Sequence, residues 1–154
     1  EQALSTNVGC VRMTERHLTG DPATSEQIAL ATKDIDQAID DAAKVVDLAK
    51  AKSLIGLAGS VTTVAAISLG LTAYKADVIH GSRISADEVH RIATQLLAMT
   101  RKERSEIGSM HPGRIDVIGG GALVLDRIMQ KTGIAEVVVS ERDILDGIAR
   151  DLAK

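Results

Sequence analysis

An arginine close to a run of glycines is the feature of the sequence most suggestive of chemistry. Residues 108–125 read GSMHPGRIDVIGGGALVL, with Arg114 at the start of an apolar stretch and three consecutive glycines at 119–121. A guanidinium offers parallel N–H donors to phosphate oxygens, whereas each glycine inside a helix costs about 0.5–1 kcal/mol. Two explanations remain open. Either a ligand or the turn at Gly59 approaches this bare backbone, or the helix packs closely on a sheet while Arg114 pairs with Asp116 or is solvated.

A second stretch, GLAGSVTT at 56–63, has the form of a phosphate-binding turn. Glycines between a predicted strand and a predicted helix expose backbone N–H groups, and the helix N-terminus adds about half a unit of positive charge. The stretch is neither G-x-G-x-x-G nor the lysine-bearing P-loop. It is therefore equally compatible with an ordinary tight turn in which Ser60 caps the helix.

A third stretch, VGCVRMTE, places Arg12 and Glu15 three residues apart. From spacing alone, a surface ion pair is favoured there. His80 and His111 have no neighbour at metal-ligand spacing and are interpreted as polar turn residues, and Cys10 as a small buried hydrophobe. We find no hydrolytic triad and no carboxylate pair at metal-site spacing, so the sequence assigns neither a catalytic residue nor a metal ligand to this chain.

Composition limits the classes of protein to consider. The chain has 154 residues, 45% of them hydrophobic, with Tyr74 as the single aromatic residue and Cys10 as the single cysteine. These numbers predict one domain with an aliphatic core, no platform for stacking nucleic-acid bases and no disulfide framework. The net charge of −3 is that of the segment 21–52 alone, which also disfavours nucleic-acid coating. We see no secretory signal or membrane-length apolar run, so we expect a cytoplasmic protein.

The elements that position these motifs follow from hydrophobic periodicity and capping residues. The predicted elements are a helix over 24–49, a strand at 54–57, a Ser60-capped helix to Gly70, a short extended piece at 77–85, helices beginning at Ser85 and Thr100, a helix ending at Gly133, a strand at 137–139 and a Ser140-capped helix. Strands alternating with helices indicate an α/β fold. Because the strands at 54–57 and 137–139 are apolar on both sides, we expect a mixed sheet with helices on both faces.

The N-terminus departs from this organisation. EQALSTNVGCVRMTE begins in what resembles the end of a strand, near Ala3 to Ser5, with no partner strand before it. A lone strand must pair with something. We therefore expect a domain truncated at its N-terminus, a fragment of a larger protein.

Five ordered blocks together resemble one family. STNVGCVRMTERHLTGDPATSEQI, GLAGSVTTVAAISLGL, VIHGSRIS, HPGRIDVIGGGALVLDRIM and VVVSERDILDGI resemble the second actin-like domain of the exopolyphosphatase and guanosine pentaphosphate phosphatase family. The resemblance covers essentially the whole chain, 1–154. It implies a ribonuclease-H-like fold of the actin-like ATPase superfamily, in which two such domains enclose a cleft and a magnesium-assisted water cleaves a terminal phosphoanhydride.

The resemblance also implies roles for particular residues. The turn residues Gly59, Ser60 and Thr62 and the arginine Arg114 would line the cleft and hold polyphosphate or guanosine pentaphosphate. The glycine at 120 belongs to the same wall. Three further residues are candidates for the cleft or the domain interface; these are Arg12, Glu15 and His111. The partners implied are the first actin-like domain and a second copy of the protein in a homodimer.

The chain also departs from the family pattern. The acidic Gly-Ser loop, the glutamate that would activate water and the DIGGGS-like phosphate loop lie upstream in the family, and none occurs here. Ser60 stands where threonine is commoner, and Ile115 where a small residue is common. We therefore expect the ligands of Mg²⁺ to lie mostly outside this chain, and the chain alone to be inactive.

Two other functions remain open at this point. A sugar or small-molecule kinase domain of the same superfamily could use the same glycines, and an upstream nucleotide-binding signature would favour it. A non-catalytic partner-binding domain would be favoured if the upstream acidic loops were missing from the gene.

Overall fold

The computed structural model describes residues 2–153. Its helices and strands are α1 (Cys10–Arg16), α2 (Ser25–Ala43), β1 (Leu54–Leu57), α3 (Gly59–Ser68), α4 (Ala76–Ile79), β2 (Arg83–Ser85), α5 (Ala86–Ala98), α6 (Arg101–Ser105), α7 (Ile118–Thr132), β3 (Glu136–Ser140) and α8 (Ile144–Leu152). Short 3₁₀ turns occupy Leu48–Lys50 and Pro112–Arg114. The order of strands and helices is that of an α/β fold.

The strands form one mixed sheet in the order β1-β3-β2. Strand β3 pairs in parallel with β1, with Leu54 opposite Val137, and antiparallel with β2. The mixed sheet predicted from the sequence is therefore confirmed. Because β1 and β3 run in parallel, the segments that follow them, the β1–α3 turn and residues 141–143, come to the same edge of the sheet.

The strand expected near Ala3 to Ser5 is wrong. Residues 2–9 have no regular secondary structure and lead into α1, and Leu4 is 48% exposed. The expected strand had only three residues, a pattern too short to distinguish a strand from an extended segment that leads into a helix. The lone-strand argument for truncation therefore has no support from these residues.

Helix α7 is the centre of the packing. It contacts α1, α2, α3 and α5, and its apolar residues belong to two clusters. The larger cluster joins α7 to α3, α5 and the sheet through aliphatic side chains such as Val64, Ile92 and Val137. The smaller joins it to α1 and α2 through Met13 and Ile35. The core is aliphatic, as the near absence of aromatic residues predicts.

Several helix boundaries follow the predicted caps and others do not. The capping boxes of Thr24 with Gln27 and of Thr100 with Glu103 are present, and Gly133 ends α7 in the left-handed region with φ 69°. Helix α2, however, ends at Ala43 rather than Ala49. The β-branched Val45 and Val46, which have lower helix propensity, lie in the turn that follows.

Two predicted serine caps are wrong. Ser60 is the second residue of α3, whose N-cap is Ala58. Ser140 is the last residue of β3, and Asp143 caps α8 instead through a capping box with Asp146. The observed N-cap lies two residues before the predicted one in α3 and three residues after it in α8. Local sequence alone does not fix a helix boundary to within one or two residues.

Within residues 2–153, the longest apolar helices are too short or too charged to cross a membrane.

Candidate functional site

The turn between β1 and α3 exposes backbone donors. Ala58 alone joins the two elements, and it adopts φ 68°, ψ 170°, a region that essentially only glycine occupies without strain. The first helical bond of α3 runs from the Thr62 N–H to the Ala58 carbonyl at 3.2 Å, and no side chain caps the helix. The N–H groups of Gly59, Ser60 and Val61 therefore precede the first helical bond, at the positive end of the helix dipole.

The Arg114 guanidinium lies directly over this turn. A methyl group added to Gly59 would come within 1.5 Å of Arg114 Nη2 and 1.6 Å of its Cζ, so only glycine leaves room for the guanidinium. Arg114 ends the 3₁₀ turn Pro112–Arg114. At the start of that turn, His111 Nδ1 accepts the Gly113 N–H at 3.1 Å, which fixes the geometry of the loop that presents Arg114.

Within residues 2–153, the Arg114 guanidinium has no hydrogen-bond or ion-pair partner. The sequence offered Asp116 as a partner, but Asp116 accepts instead from Arg101 Nε at 2.6 Å. Arg114 is only half exposed to solvent. A partly buried cation without an anion, placed over free N–H groups, is a site that favours a phosphate or a carboxylate.

Three cavities meet at Arg114. One, of about 190 Å³, is lined by Gly59, Thr62 and Tyr74 and, at the end of β3, by Ser140, Glu141 and Asp143. A second, of about 400 Å³, lies between the β1–α3 turn, Cys10 and α7. A third, of about 500 Å³, is lined by Tyr74 and residues 108–112. The two larger volumes are in the range of small-molecule sites.

Sequence reasoning missed Tyr74, Glu141 and Asp143. The Tyr74 hydroxyl donates to Glu141 Oε1 at 2.5 Å. Burial, and then this hydrogen bond, raise the pKa of Tyr74, so its hydroxyl keeps its proton at neutral pH. Asp143 uses Oδ1 to accept the Leu145 N–H at 2.8 Å. For Glu141 and Asp143 the sequence held a topological signal, because residues that follow β3 must lie beside the residues that follow a parallel β1.

Thr62 lines the smallest cavity, but it is buried, at 4% exposure. Its hydroxyl donates to the Gly59 carbonyl at 3.4 Å. Ser60, by contrast, is half-buried and lines the cavity beside Cys10. Thr62 therefore braces the turn through the Gly59 carbonyl, while Ser60 lies against Gly121 of α7.

The three glycines of α7 face three different neighbours. A methyl group on Gly119 would meet Leu97 of α5 at 3.3 Å, and one on Gly120 would meet the Cys10 carbonyl and Thr14 Oγ1 of α1 at 2.9 Å. One on Gly121 would lie 2.2 Å from Ser60 Oγ in α3. The bare backbone thus lets three helices approach α7, and it brings the β1–α3 turn close, as one of the two explanations predicted.

The remaining candidates are Gly120, Arg12, Glu15 and His111. Gly120 is buried under α1, so its contact with a substrate stays a prediction. Arg12 and Glu15 are exposed on α1, and the described structure contains no ion pair between them; the predicted pair is wrong, because Arg preceding Glu is the weaker order on a helix. His111 lines the largest cavity at Arg114, and the Nδ1 of His80 accepts the Glu141 N–H.

Magnesium was implied by the family resemblance, and the described residues can be tested for a site. No group of three or more His, Cys, Asp or Glu residues within 2–153 is arranged to hold a metal ion. In the cavity at the end of β3, Glu141 and Asp143 are two carboxylates, and each already accepts a hydrogen bond. Within the described residues 2–153, the structure therefore shows no cluster arranged as a magnesium site.

The fold and the site define an α/β domain in which an arginine without a partner in residues 2–153 lies over the N-terminus of a helix. The sequence profile of the Ppx/GppA phosphatase family matches residues 1–154. The chain belongs to the Ppx/GppA phosphatase family, and its fold is that of the actin-like ATPase domains of this family. The resemblance identified from the sequence is confirmed.

Individual relatives agree with this assignment. The chain is 42% identical over 155 residues to exopolyphosphatase 2 of Mycobacterium tuberculosis, an alignment that covers 98% of this chain and 49% of that protein. It is similar to the crystal structure of an exopolyphosphatase-like protein, with a TM-score of 0.96, 44% identity and coverage of 99% of this chain and 50% of the other. A Ppx/GppA family member from Aquifex aeolicus, 20% identical, shares the fold with a TM-score of 0.87, over 99% of this chain and 49% of its own. The chain spans about half the length of these proteins.

Proposed function

We propose that the full-length protein is a phosphoanhydride hydrolase that releases terminal phosphate from inorganic polyphosphate, guanosine pentaphosphate or both. In this proposal the present chain is the second actin-like domain and supplies one wall of the substrate cleft. The observation that carries the proposal is the unpartnered Arg114 guanidinium over the free N–H groups of the β1–α3 turn. Membership of a phosphatase family favours hydrolysis over transfer to a sugar acceptor.

The wall acts by positioning and by charge. Gly59, Ser60 and Arg114 line the same cavity, where the N–H groups of the turn and the guanidinium would together hold the oxygens of a phosphate. Donors fixed before the substrate arrives stabilise charge that develops on phosphate oxygens without reorganising. The Thr62 hydroxyl, which donates to the Gly59 carbonyl, keeps the turn in place, and Ala58 holds the strained backbone that aims it.

The rest of the machinery is proposed to lie in the first actin-like domain. That half would supply the general base and most ligands of Mg²⁺, an ion that neutralises charge on phosphate oxygens when bound. The chain contributes no cluster of its own for the metal within 2–153. We accordingly expect the isolated chain to be inactive.

The test is phosphate release from long-chain polyphosphate in the presence of magnesium. The full-length protein should release phosphate and the isolated 154-residue chain should not. Turnover by the chain that survives removal of contaminating phosphatases would mean that the catalytic residues lie within it. No release by the full-length protein from either polyphosphate or guanosine pentaphosphate would reject the proposed function.

We also propose that the protein is cytoplasmic and forms a homodimer. Support for assembly comes from the unpaired outer edge of β1, where Ile55 is 64% exposed, and from the apolar face of α8, where Leu152 is 84% exposed. Open strand edges and apolar patches recruit other chains. Light scattering of the isolated 154-residue chain should find dimers or larger species. A monodisperse monomer of this chain at high concentration would contradict the proposal.

A further inference from the structure

The cavity of about 190 Å³ at the end of β3 holds charges of both signs. Arg114 lines it together with two carboxylates, Glu141 and Asp143, and with Tyr74. Opposite charges in one small cavity attract each other, and a guanidinium readily forms paired hydrogen bonds with a carboxylate. Within residues 2–153, however, neither carboxylate bonds to Arg114; each accepts from another donor. Contacts elsewhere in the cavity must therefore keep the carboxylates away from the guanidinium.

Asp143 is held by the start of α8. Its Oδ1 accepts the Leu145 N–H at 2.8 Å, and its own N–H donates to Asp146 Oδ2 at 2.8 Å. This capping box fixes the Asp143 side chain against the first turn of the helix. Turning toward Arg114 would cost Asp143 its cap, so Asp143 is a weak competitor for the guanidinium.

Glu141 is fixed at its backbone but not along its side chain. Its N–H donates to His80 Nδ1 at 3.2 Å, and Ser140 Oγ accepts the Arg142 N–H at 3.1 Å. Within residues 2–153 the Glu141 carboxylate has one hydrogen-bond donor, the Tyr74 hydroxyl at 2.5 Å. A glutamate side chain is long and has high rotamer entropy. Without that hydroxyl, the carboxylate is free to turn toward another donor in the same cavity.

Tyr74 is close to both charges. Burial, and then the hydrogen bond to Glu141, raise the pKa of Tyr74, while the charge of Arg114 lowers it, so the hydroxyl feels both groups. The loop that carries Tyr74 is packed in place, because a methyl group added to Gly108 would come within 2.3 Å of the Thr72 carbonyl. Tyr74 therefore presents its hydroxyl to Glu141 from a fixed position.

We infer that Tyr74 is a positioning residue, whose hydroxyl holds the Glu141 carboxylate away from the Arg114 guanidinium and so keeps that guanidinium free for a phosphate. The inference rests on the proposed function, because it takes Arg114 as a phosphate ligand. Without the hydroxyl, the Glu141 carboxylate competes with the phosphate for Arg114. Tyr74 itself needs no contact with the phosphate.

A double-mutant cycle tests the inference. Tyr74→Phe removes the hydroxyl and keeps the ring, Glu141→Gln removes the competing charge, and a third variant combines the two. Inorganic tripolyphosphate is titrated into each full-length variant by calorimetry, and melting temperatures are measured on the same samples. Glu136→Gln is the matched control, because that carboxylate lies at the other end of β3 and pairs with Arg83.

Tyr74→Phe should weaken tripolyphosphate binding by about two- to fivefold, the value of a partly exposed ion pair that the phosphate must displace. Glu141→Gln, alone or combined with Tyr74→Phe, should bind at least as tightly as the wild type. Tyr74→Phe combined with Glu136→Gln should stay as weak as Tyr74→Phe. This selective rescue is not expected if the hydroxyl only stabilises the fold.

Two results would overturn the inference while leaving the proposed function intact. One is unchanged binding in Tyr74→Phe. The other is weakened binding that Glu141→Gln does not restore, since the hydroxyl would then act on the phosphate directly or through the fold. Wild-type protein that does not bind tripolyphosphate would instead reject the phosphate site, and the inference with it.

Discussion

Two arginines near α7 are used in opposite ways. Arg127, within α7, donates two hydrogen bonds of 2.8 Å to the carboxylate of Asp36, tying α7 to α2. That hydrogen bond raises the pKa of Arg127. Arg114, at the other end of the segment, lies on the Gly59 backbone with no partner within residues 2–153. Where the fold uses a partly buried guanidinium as a brace, it supplies a carboxylate, so the unpaired one marks a place for an anion from outside.

The largest expected effect comes from removing the unpaired arginine. In the full-length protein, Arg114→Ala should weaken binding of polyphosphate by about 1.5–3 kcal/mol, which is roughly ten- to more than a hundredfold, because a charged hydrogen bond is lost. Arg114→Lys should recover only part, since an ammonium cannot reproduce the planar fork. Michaelis constants and melting temperatures are measured on the same samples.

Arg127→Ala is the control for this comparison. It should lower stability by about 1 kcal/mol, because Asp36 loses its partner, and leave the Michaelis constant near that of the wild type. The comparison would fail if Arg114→Ala lost stability with unchanged kinetics, since Arg114 would then be the brace.

Substitutions at Gly120 and Gly59 distinguish a glycine needed for helix packing from a glycine needed for binding. Gly120→Ala should cost about 1–3 kcal/mol of stability, because the new methyl group meets the Cys10 carbonyl at 2.9 Å and α1 must shift. Urea unfolding of the chain measures this. A change below about 0.3 kcal/mol would mean that α1 is not held against α7 as described.

Gly59→Ala should change binding rather than stability. Its methyl group displaces the far end of Arg114, a flexible side chain that moves at little cost. Polyphosphate binding should weaken by about fivefold, the value of one hydrogen bond near 1 kcal/mol, with a melting temperature close to wild type. Gly147→Ala, where nothing lies within 4 Å, is the control; equal effects of both substitutions on binding would contradict the placement of Arg114.

Whether an interaction could be predicted from the sequence depends on whether its partners are close together in the chain. The capping boxes at Thr24 and Thr100 were predictable because both partners lie within four residues. The β1–α3 turn and Arg114 were found from glycine and arginine spacing. In the structure Arg114 lies on Gly59 and does not pair with Asp116. Which of these two contacts forms depends on tertiary packing that residue spacing does not encode.

The same reason explains what was missed. Tyr74 follows α3 and Glu141 follows β3, 67 residues apart in the chain, and the two meet only in the folded structure. The three glycines of α7 were interpreted as one feature, yet each accommodates a different helix. Which neighbour a bare backbone admits is decided by the whole arrangement of helices, and the sequence pattern indicates only that some close approach occurs.

The smallest expected effect concerns Asp34 on α2, whose Oδ2 is hydrogen-bonded to both Arg16 and His17. Hydrogen bonds from His17, and then from Arg16, hold the pKa of Asp34 below its ordinary value of 3.8. Because the folded pKa is the lower one, the stabilisation is present above 3.8 and is lost as the pH falls through the folded value. Asp34→Asn should therefore lower the melting temperature slightly at neutral pH and reduce its fall on acidification; an unchanged pH profile would contradict the pairing.

The central claim is that Arg114 and the β1–α3 turn together bind phosphate. The most direct measurement is a crystal structure of the full-length protein with bound orthophosphate. Our account predicts a phosphate with oxygens about 2.7–2.9 Å from the Arg114 guanidinium and within hydrogen-bond distance of the Gly59 and Ser60 N–H groups. A phosphate bound elsewhere, with Arg114 paired to a carboxylate of the other half of the protein, would contradict it.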